Sequence, residues 1–211
     1  MAELIHGIDA ARVAAKLEEV EATVGDGVEI LVASKYVPLE EMGALAEAGV
    51  TVVGENRQQD LAAKRERWGE AFEWDFIGNL QSRKVKLLLP ACRLIHSVAS
   101  ESALAQLRRH AEPGTEFLVE VNVAGEEGKP GIDPGELGAF ISAAGPVRIS
   151  GLMTMPPFSQ DPQASRPYFA RLAELAAQHG LERPSMGTSQ DWEVAIEEGA
   201  TIVRLGTALF V

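Results

Sequence analysis

Hydrophobic and polar positions along the chain alternate between two periodicities. Short runs rich in Val, Ile and Leu recur at 28–35, 51–55, 74–78, 93–98, 116–123, 147–153, 184–188 and 201–206. Runs of this length and composition read as buried strands of a parallel sheet. Between them lie segments of helical spacing near 38–49, 56–69, 80–89, 100–112, 133–144, 162–179 and 189–199. One further stripe, Ile8, Val13, Leu17, Val20 and Val24, predicts a helix ahead of the first strand. Boundary residues agree with this division: Pro38 suits a first helical turn, and Glu40 and Glu41 favour its positive end. Gly49, Gly180 and Gly199 can each take the left-handed closing conformation. The 184–188 strand carries the weakest signal, being short and opened by Pro184.

Strands that alternate with helices define an α/β protein with a parallel sheet. Eight strands and one leading helix predict a single (β/α)8 TIM-type barrel over residues 1–211, its extra N-terminal helix covering the seam. An open doubly wound sheet is the alternative, weakened because no Gly-x-Gly-x-x-Gly turn follows any strand.

Composition narrows the functional classes. With 211 residues, 46% of them hydrophobic and 24% charged, the chain is long and apolar enough for a full globular core. Its formal net charge of −12 repels phosphate backbones and anionic lipids, so neither nucleic acid nor membrane is an expected partner. The basic cluster Arg83-Lys84-Val85-Lys86 reads as a solvated helix face. Cys92 is the single cysteine; it excludes an intramolecular disulfide, and its apolar neighbours predict an inert buried thiol. The first residues, Met-Ala-Glu-Leu-Ile-His, carry neither a basic segment nor a signal-type apolar run, so a cytoplasmic protein is expected, and a monomer.

The candidate chemistry begins at Lys35, which closes the run Val28-Glu-Ile-Leu-Val-Ala-Ser-Lys35. The carboxyl ends of parallel strands are where barrels and open α/β sheets keep their ligands. A lysine buried there is biased towards the free amine, the form that attacks a carbonyl. The bland reading is a lysine snorkelling out of a strand end. Barrels commonly hold phosphate on the loops after strands seven and eight. Here these loops are Ser185-Met-Gly-Thr-Ser-Gln-Asp-Trp192 and Arg204-Leu-Gly-Thr-Ala208, with Ser189 expected as a helix N-cap, Gly206 allowing close approach and Thr207 adding a hydroxyl. A strand-end lysine with two such loops suits a phosphorylated aldehyde.

These stretches resemble the pyridoxal phosphate homeostasis proteins, the YggS-type single-domain members of the alanine-racemase-like barrel group. The resemblance runs in order through Leu31-Val-Ala-Ser-Lys35, Val53-Gly-Glu-Asn56, Phe76-Ile-Gly-Asn-Leu-Gln81, Leu94-Ile-His-Ser-Val98, Val121-Asn-Val-Ala-Gly-Glu-Glu127, Gly151-Leu-Met-Thr-Met-Pro156, Met186-Gly-Thr-Ser189 and Ile196 to Ala208. It implies a barrel like the alanine racemase N-terminal domain that binds pyridoxal 5'-phosphate, with Lys35 as the Schiff-base lysine. It further implies phosphate contacts from Ser189, Gly206 and Thr207, a ring-side contact from Asn56 and Arg204 facing the pyridine nitrogen. Met186 falls in the same cofactor-binding set. One departure is Lys129-Pro130-Gly131, which lacks the hydroxyl residue that this loop is expected to carry.

The resemblance implies a carrier that maintains the cellular balance of vitamin B6 and of amino and keto acids, with cofactor-dependent apo-enzymes as possible recipients. An arginine partner accepts no proton and leaves the ring nitrogen a weak electron sink. Strand alternation turns Tyr36 away from Lys35, Tyr168 falls in a packing helix, and His96 suits an interior barrel layer. No second proton-transfer group is therefore expected, no metal cluster, and no separate β-rich domain. A small racemase-like enzyme and a cofactor-free Schiff-base aldolase are the alternatives.

Overall fold

The computed structural model describes residues 4–210 and contains each of the eight expected strands. They are β1 Glu29–Ala33, β2 Val52–Glu55, β3 Glu73–Phe76, β4 Leu94–Val98, β5 Glu116–Glu120, β6 Arg148–Met153, β7 Arg183–Thr188 and β8 Ile202–Leu205. Every strand pairs in parallel with the next, and β8 returns to β1 with Leu31 beside Arg204. The sheet is thus a closed barrel and the open doubly wound arrangement is excluded.

Period-two alternation sorts the side chains into two cores. Leu31, Val52, Leu94, Leu118, Met153 and Ile202 point inward and fill the barrel. The alternate positions, among them Val32, Val53, Phe76 and Phe117, pack outward against the helices. Those helices are α1 Ala10–Val24, α2 Met42–Glu47, α3 Gln58–Trp68, α4 Val85–Leu88, α5 Glu101–His110, α6 Leu137–Ser142, α7 Arg166–Gln178, α8 Trp192–Glu197 and α9 Thr207–Phe210. The leading helix α1 is capped by Asp9, whose carboxylate accepts the Arg12 N–H at 3.0 Å. It buries Val13, Leu17, Val20 and Val24 against α2 and α9, the helices that follow β1 and β8, so it covers the line of closure. Ile8 lies ahead of the helix rather than within it, half-buried.

Three local expectations change. The run at 28–35 stops being a strand at Ala33, and Ser34–Tyr36 forms a 3-10 turn. Pro38 sits in the extended conformation before a second 3-10 turn instead of inside a helix (φ −60°, ψ 152°). The short helix α9 was not foreseen, because four residues are too few to display a period. Gly49, Gly180 and Gly199 take positive φ, as their roles as helix stops require.

The N-terminal ends of the strands are closed by charge. Arg93 forms a two-bond fork with Glu29 at 2.6 Å each and reaches Asp75 at 2.7 and 3.0 Å, while Arg183 joins Glu116 at 3.1 Å. The opposite end, where the strands finish, carries the cavity described next.

Candidate functional site

A cavity of about 510 Å³ opens at the carboxyl ends of the strands, within the size range of small-molecule sites. Lys35, Asn56, Ser189, Arg204, Gly206 and Thr207 all line it. Sequence reasoning missed other parts of its wall, notably Tyr36, Gly78, Asn79 and Met155. Met186 does not belong there. It is fully buried in the outer core, because Ser185 takes the inward position of β7 and the next side chain must face out. Lys129 and Pro130 are exposed and lie outside the cavity wall, so the loop that departs from expectation does not touch the site.

Lys35 is half-buried rather than buried, and it projects from the 3-10 turn. Strand alternation therefore does not govern Tyr36, which enters the cavity beside it. The Lys35 ammonium lies over the Tyr36 ring, 4.9 Å from its centroid, so the ring face and not the hydroxyl meets the amine. The floor near Asn56 depends on Gly78: a Cβ at that position would stand 2.0 Å from the Asn56 carbonyl oxygen.

The two C-terminal loops meet at Ser189. Its hydroxyl oxygen accepts the Gly206 N–H at 3.0 Å and the Ala208 N–H at 3.2 Å, leaving its own proton to donate. Ser189 is not an N-cap. Asp191 occupies that position on α8, and its carboxylate instead ties down Thr188 (N–H at 2.7 Å) and Ser165 (hydroxyl at 2.8 Å). Gly187 makes this tight passage with φ 88°, and a side chain there would come within 2.6 Å of the Ala195 Cβ. Gly206 has no comparable crowding from the protein, its nearest neighbours beyond an added Cβ being 3.6 Å or more away.

Arg204 rises from β8 into the barrel and is almost wholly buried. One terminal nitrogen donates to the Ser185 carbonyl and hydroxyl, both at 2.7 Å; the other donates to the Thr154 carbonyl at 2.8 Å and approaches Met155 Sδ at 3.0 Å. Those contacts use both terminal nitrogens, so Nε–H is the donor left without a protein acceptor among the described residues. Burial lowers the Arg204 pKa to about 10, with Glu120 and Asp191 opposing the shift, and the group stays charged at neutral pH. Burial also pushes the Glu120 carboxyl up to about 7 against the pull of Arg204.

Behind Arg204 lies a polar chain that the sequence did not reveal. Ser185 Oγ is 3.0 Å from His96 Nδ1, and His96 Nε2 is 3.0 Å from Asp75 Oδ2. All three side chains are fully buried inside the barrel. Burial drives the His96 pKa below its ordinary value, more than Asp75 raises it. For Asp75, burial acts upward, but bonds from His96 and Arg93 prevail and hold the carboxyl below the usual range. Cys92 is half-buried rather than buried, and desolvation still raises its thiol to about 12, which keeps it from being a nucleophile at neutral pH. No cluster suited to a metal ion occurs among the described residues.

Comparison with known proteins places this geometry. The alanine racemase N-terminal domain family matches residues 8–211. The pyridoxal phosphate homeostasis protein of Aquifex aeolicus is 42% identical over 195 residues, which cover 86% of each chain. That of Vibrio cholerae is 35% identical and covers 94% of this chain and 92% of the other. The solved structure of PipY from Synechococcus elongatus with PLP bound superposes with a TM-score of 0.83 at 30% identity, over 94% of this chain and all of PipY. Alanine racemase from Corynebacterium glutamicum shares the fold at a TM-score of 0.74 and 16% identity.

Proposed function

The chain belongs to the family of pyridoxal phosphate homeostasis proteins, and on that premise we propose that it holds pyridoxal 5'-phosphate reversibly and takes part in cofactor homeostasis. The observation that carries this reading is the convergence of an amine, a buried guanidinium and two hydroxyl-bearing loops on one cavity. The residues fit the group. Lys35 would offer the amine for the aldehyde, and the Ser189 and Thr207 hydroxyls on the two loops would be the donors to a phosphate dianion, the Gly206 N–H being held by Ser189. Arg204 would offer Nε–H to a ring acceptor, and Asn56 would lie beside the ring.

When bound, the cofactor supplies a carbonyl that bonds to amines and a ring that stabilises carbanions if its nitrogen is protonated. Arg204 only donates, and its place is fixed by Ser185 and Thr154, so it would offer no proton acceptor to a protonated ring nitrogen facing it. Tyr36 presents its ring face to Lys35 and is not arranged as an opposing base. The site therefore retains the aldehyde without assisting removal of a proton from carbon. Its role is that of a carrier serving cofactor-dependent apo-enzymes, acting in the cytoplasm as a monomer.

Incubation of the cofactor-loaded protein with L- or D-alanine, serine or glutamate in heavy water tests the reading. The expected result is no exchange of the α-proton above that given by free cofactor, together with transfer of pyridoxal 5'-phosphate to an added apo-enzyme. Rapid stereospecific exchange would make the protein an enzyme of the racemase type.

A further inference from the structure

The turn that carries Lys35 is held from outside the barrel by a second, buried lysine. Lys64, on α3, is only 6% exposed. Its ammonium lies 2.5 Å from Glu55 Oε1 and 2.7 Å from the carbonyl oxygen of Ser34, the residue before Lys35. The Ser34 hydroxyl donates to the same Glu55 oxygen at 2.8 Å. The Ser34 carbonyl also accepts the Val37 N–H at 2.8 Å, so both of its lone pairs are engaged. One carboxylate at the end of β2 thus joins the turn after β1 to the helix after β2.

Stability alone is a poor reason for this cluster. Removing two charges from water costs more than their attraction commonly returns, and apolar side chains of similar volume do as well or better. Glu55 is fully buried, and its Oε2 has no partner, a further cost. What the cluster does provide is geometry. Lys35 borders two cavities, the one at the strand ends and a second of about 320 Å³ lined by Val37, Leu39, Arg57 and Lys64. The Ser34–Tyr36 turn sets the point and direction from which the Lys35 side chain leaves the backbone between them.

We propose that Lys64 is a positioning residue for Lys35: by holding the Ser34 carbonyl it fixes the 3-10 turn so that the Lys35 amine faces the strand-end cavity, and Glu55 anchors Lys64 for that purpose. The proposal rests on the cofactor reading above and extends it to residues that do not touch the cofactor.

The test uses the full chain with Lys64→Met and Glu55→Gln together, which removes both charges and keeps the volume. Two ligands separate positioning from folding: pyridoxal 5'-phosphate, fixed on lysine by borohydride and located by mass spectrometry, and pyridoxine 5'-phosphate, which has no aldehyde. The rate of adduct formation on Lys35 is expected to fall about tenfold or more, the scale of a misplaced reactive group, while affinity for pyridoxine 5'-phosphate is unchanged. Ser34→Ala, which loses one hydroxyl and leaves no buried charge unpaired, is expected to show the same split at smaller size and serves if the double variant does not fold. Adduct formation at the unsubstituted rate, or equal losses for both ligands, overturns the proposal. Absence of a Lys35 adduct in the unsubstituted protein would instead remove the cofactor reading beneath it.

Discussion

Arg204 and His96 meet at opposite sides of one hydroxyl, Ser185 Oγ, at 2.7 and 3.0 Å. The guanidinium can only donate, so the hydroxyl accepts from it. At the other end Asp75 is a carboxylate that can only accept, and burial keeps His96 neutral, so His96 Nδ1 accepts the hydroxyl's proton. His96 is then the neutral tautomer with its proton on Nε2, which it donates to Asp75. Asp75 ends the series as a carboxylate held by Arg93. A line of bonds all pointing one way therefore runs from the ligand cavity to the ionic floor of the barrel.

Removing that hydroxyl tests how far the two rely on it. Ser185→Ala leaves His96 Nδ1 without a donor and Arg204 with one acceptor fewer in a fully buried setting. The expected loss is about 1–3 kcal/mol of stability, read from the midpoint of denaturant unfolding. An unchanged midpoint would show that neither side chain depends on the hydroxyl.

Lys35→Ala should abolish borohydride-stable attachment of pyridoxal 5'-phosphate and the yellow colour of the loaded protein. Peptide mapping by mass spectrometry checks the assignment. An adduct found on Lys84 or Lys129 and not on Lys35 would show that the amine has been misassigned.

Phosphate recognition should be separable from the rest of the site. Ser189→Ala with Thr207→Ala removes two hydroxyl donors, each worth roughly 1.5–3 kcal/mol towards a charged acceptor. Affinity for pyridoxal 5'-phosphate should fall by at least about tenfold, since 1.4 kcal/mol is already a factor of ten. Affinity for unphosphorylated pyridoxal should hold. Parallel losses would mean that Ser189 chiefly orders the Gly206 and Ala208 backbone.

Glu120 makes the fold sensitive to pH. Burial raises its folded pKa to about 7 from an ordinary 4.5, so the neutral form suits the folded state. The stability tied to that group is fully present below about 4.5 and is lost as pH rises through about 7. Glu120→Gln should leave the melting temperature unchanged near pH 4 and raise it above pH 7, by the equivalent of up to about 3 kcal/mol. A variant equally stable or less stable than the parent at pH 8 would contradict the assignment.

The readable parts of the chain were those governed by one local rule. Apolar runs gave all eight strands, and strand ends followed by small polar residues gave Lys35, Ser189, Arg204, Gly206 and Thr207. Tyr36 was misplaced because a period-two rule was applied across a turn whose apolar neighbours imitate a strand. Met186 was included by its neighbourhood in sequence, although alternation from Ser185 points it outward. Asp75, His96 and Ser185 lie on β3, β4 and β7, so only the closed barrel brings them together. Each was visible merely as one polar residue within its own strand. Nothing local marks Lys64 either: it is one more charge on the polar helix α3, and its partners come from two other units.

The pairing of β8 with β1 sets Leu31 beside Arg204 and brings the first and last strands together around the ligand cavity. Lys35 leaves the ribosome early, but the guanidinium and the Gly206 loop leave it much later. On the reading proposed above, a chain whose β8 has not docked offers an amine to an aldehyde but lacks the guanidinium and the Gly206 loop that complete the cavity, so tight loading waits for the closed barrel.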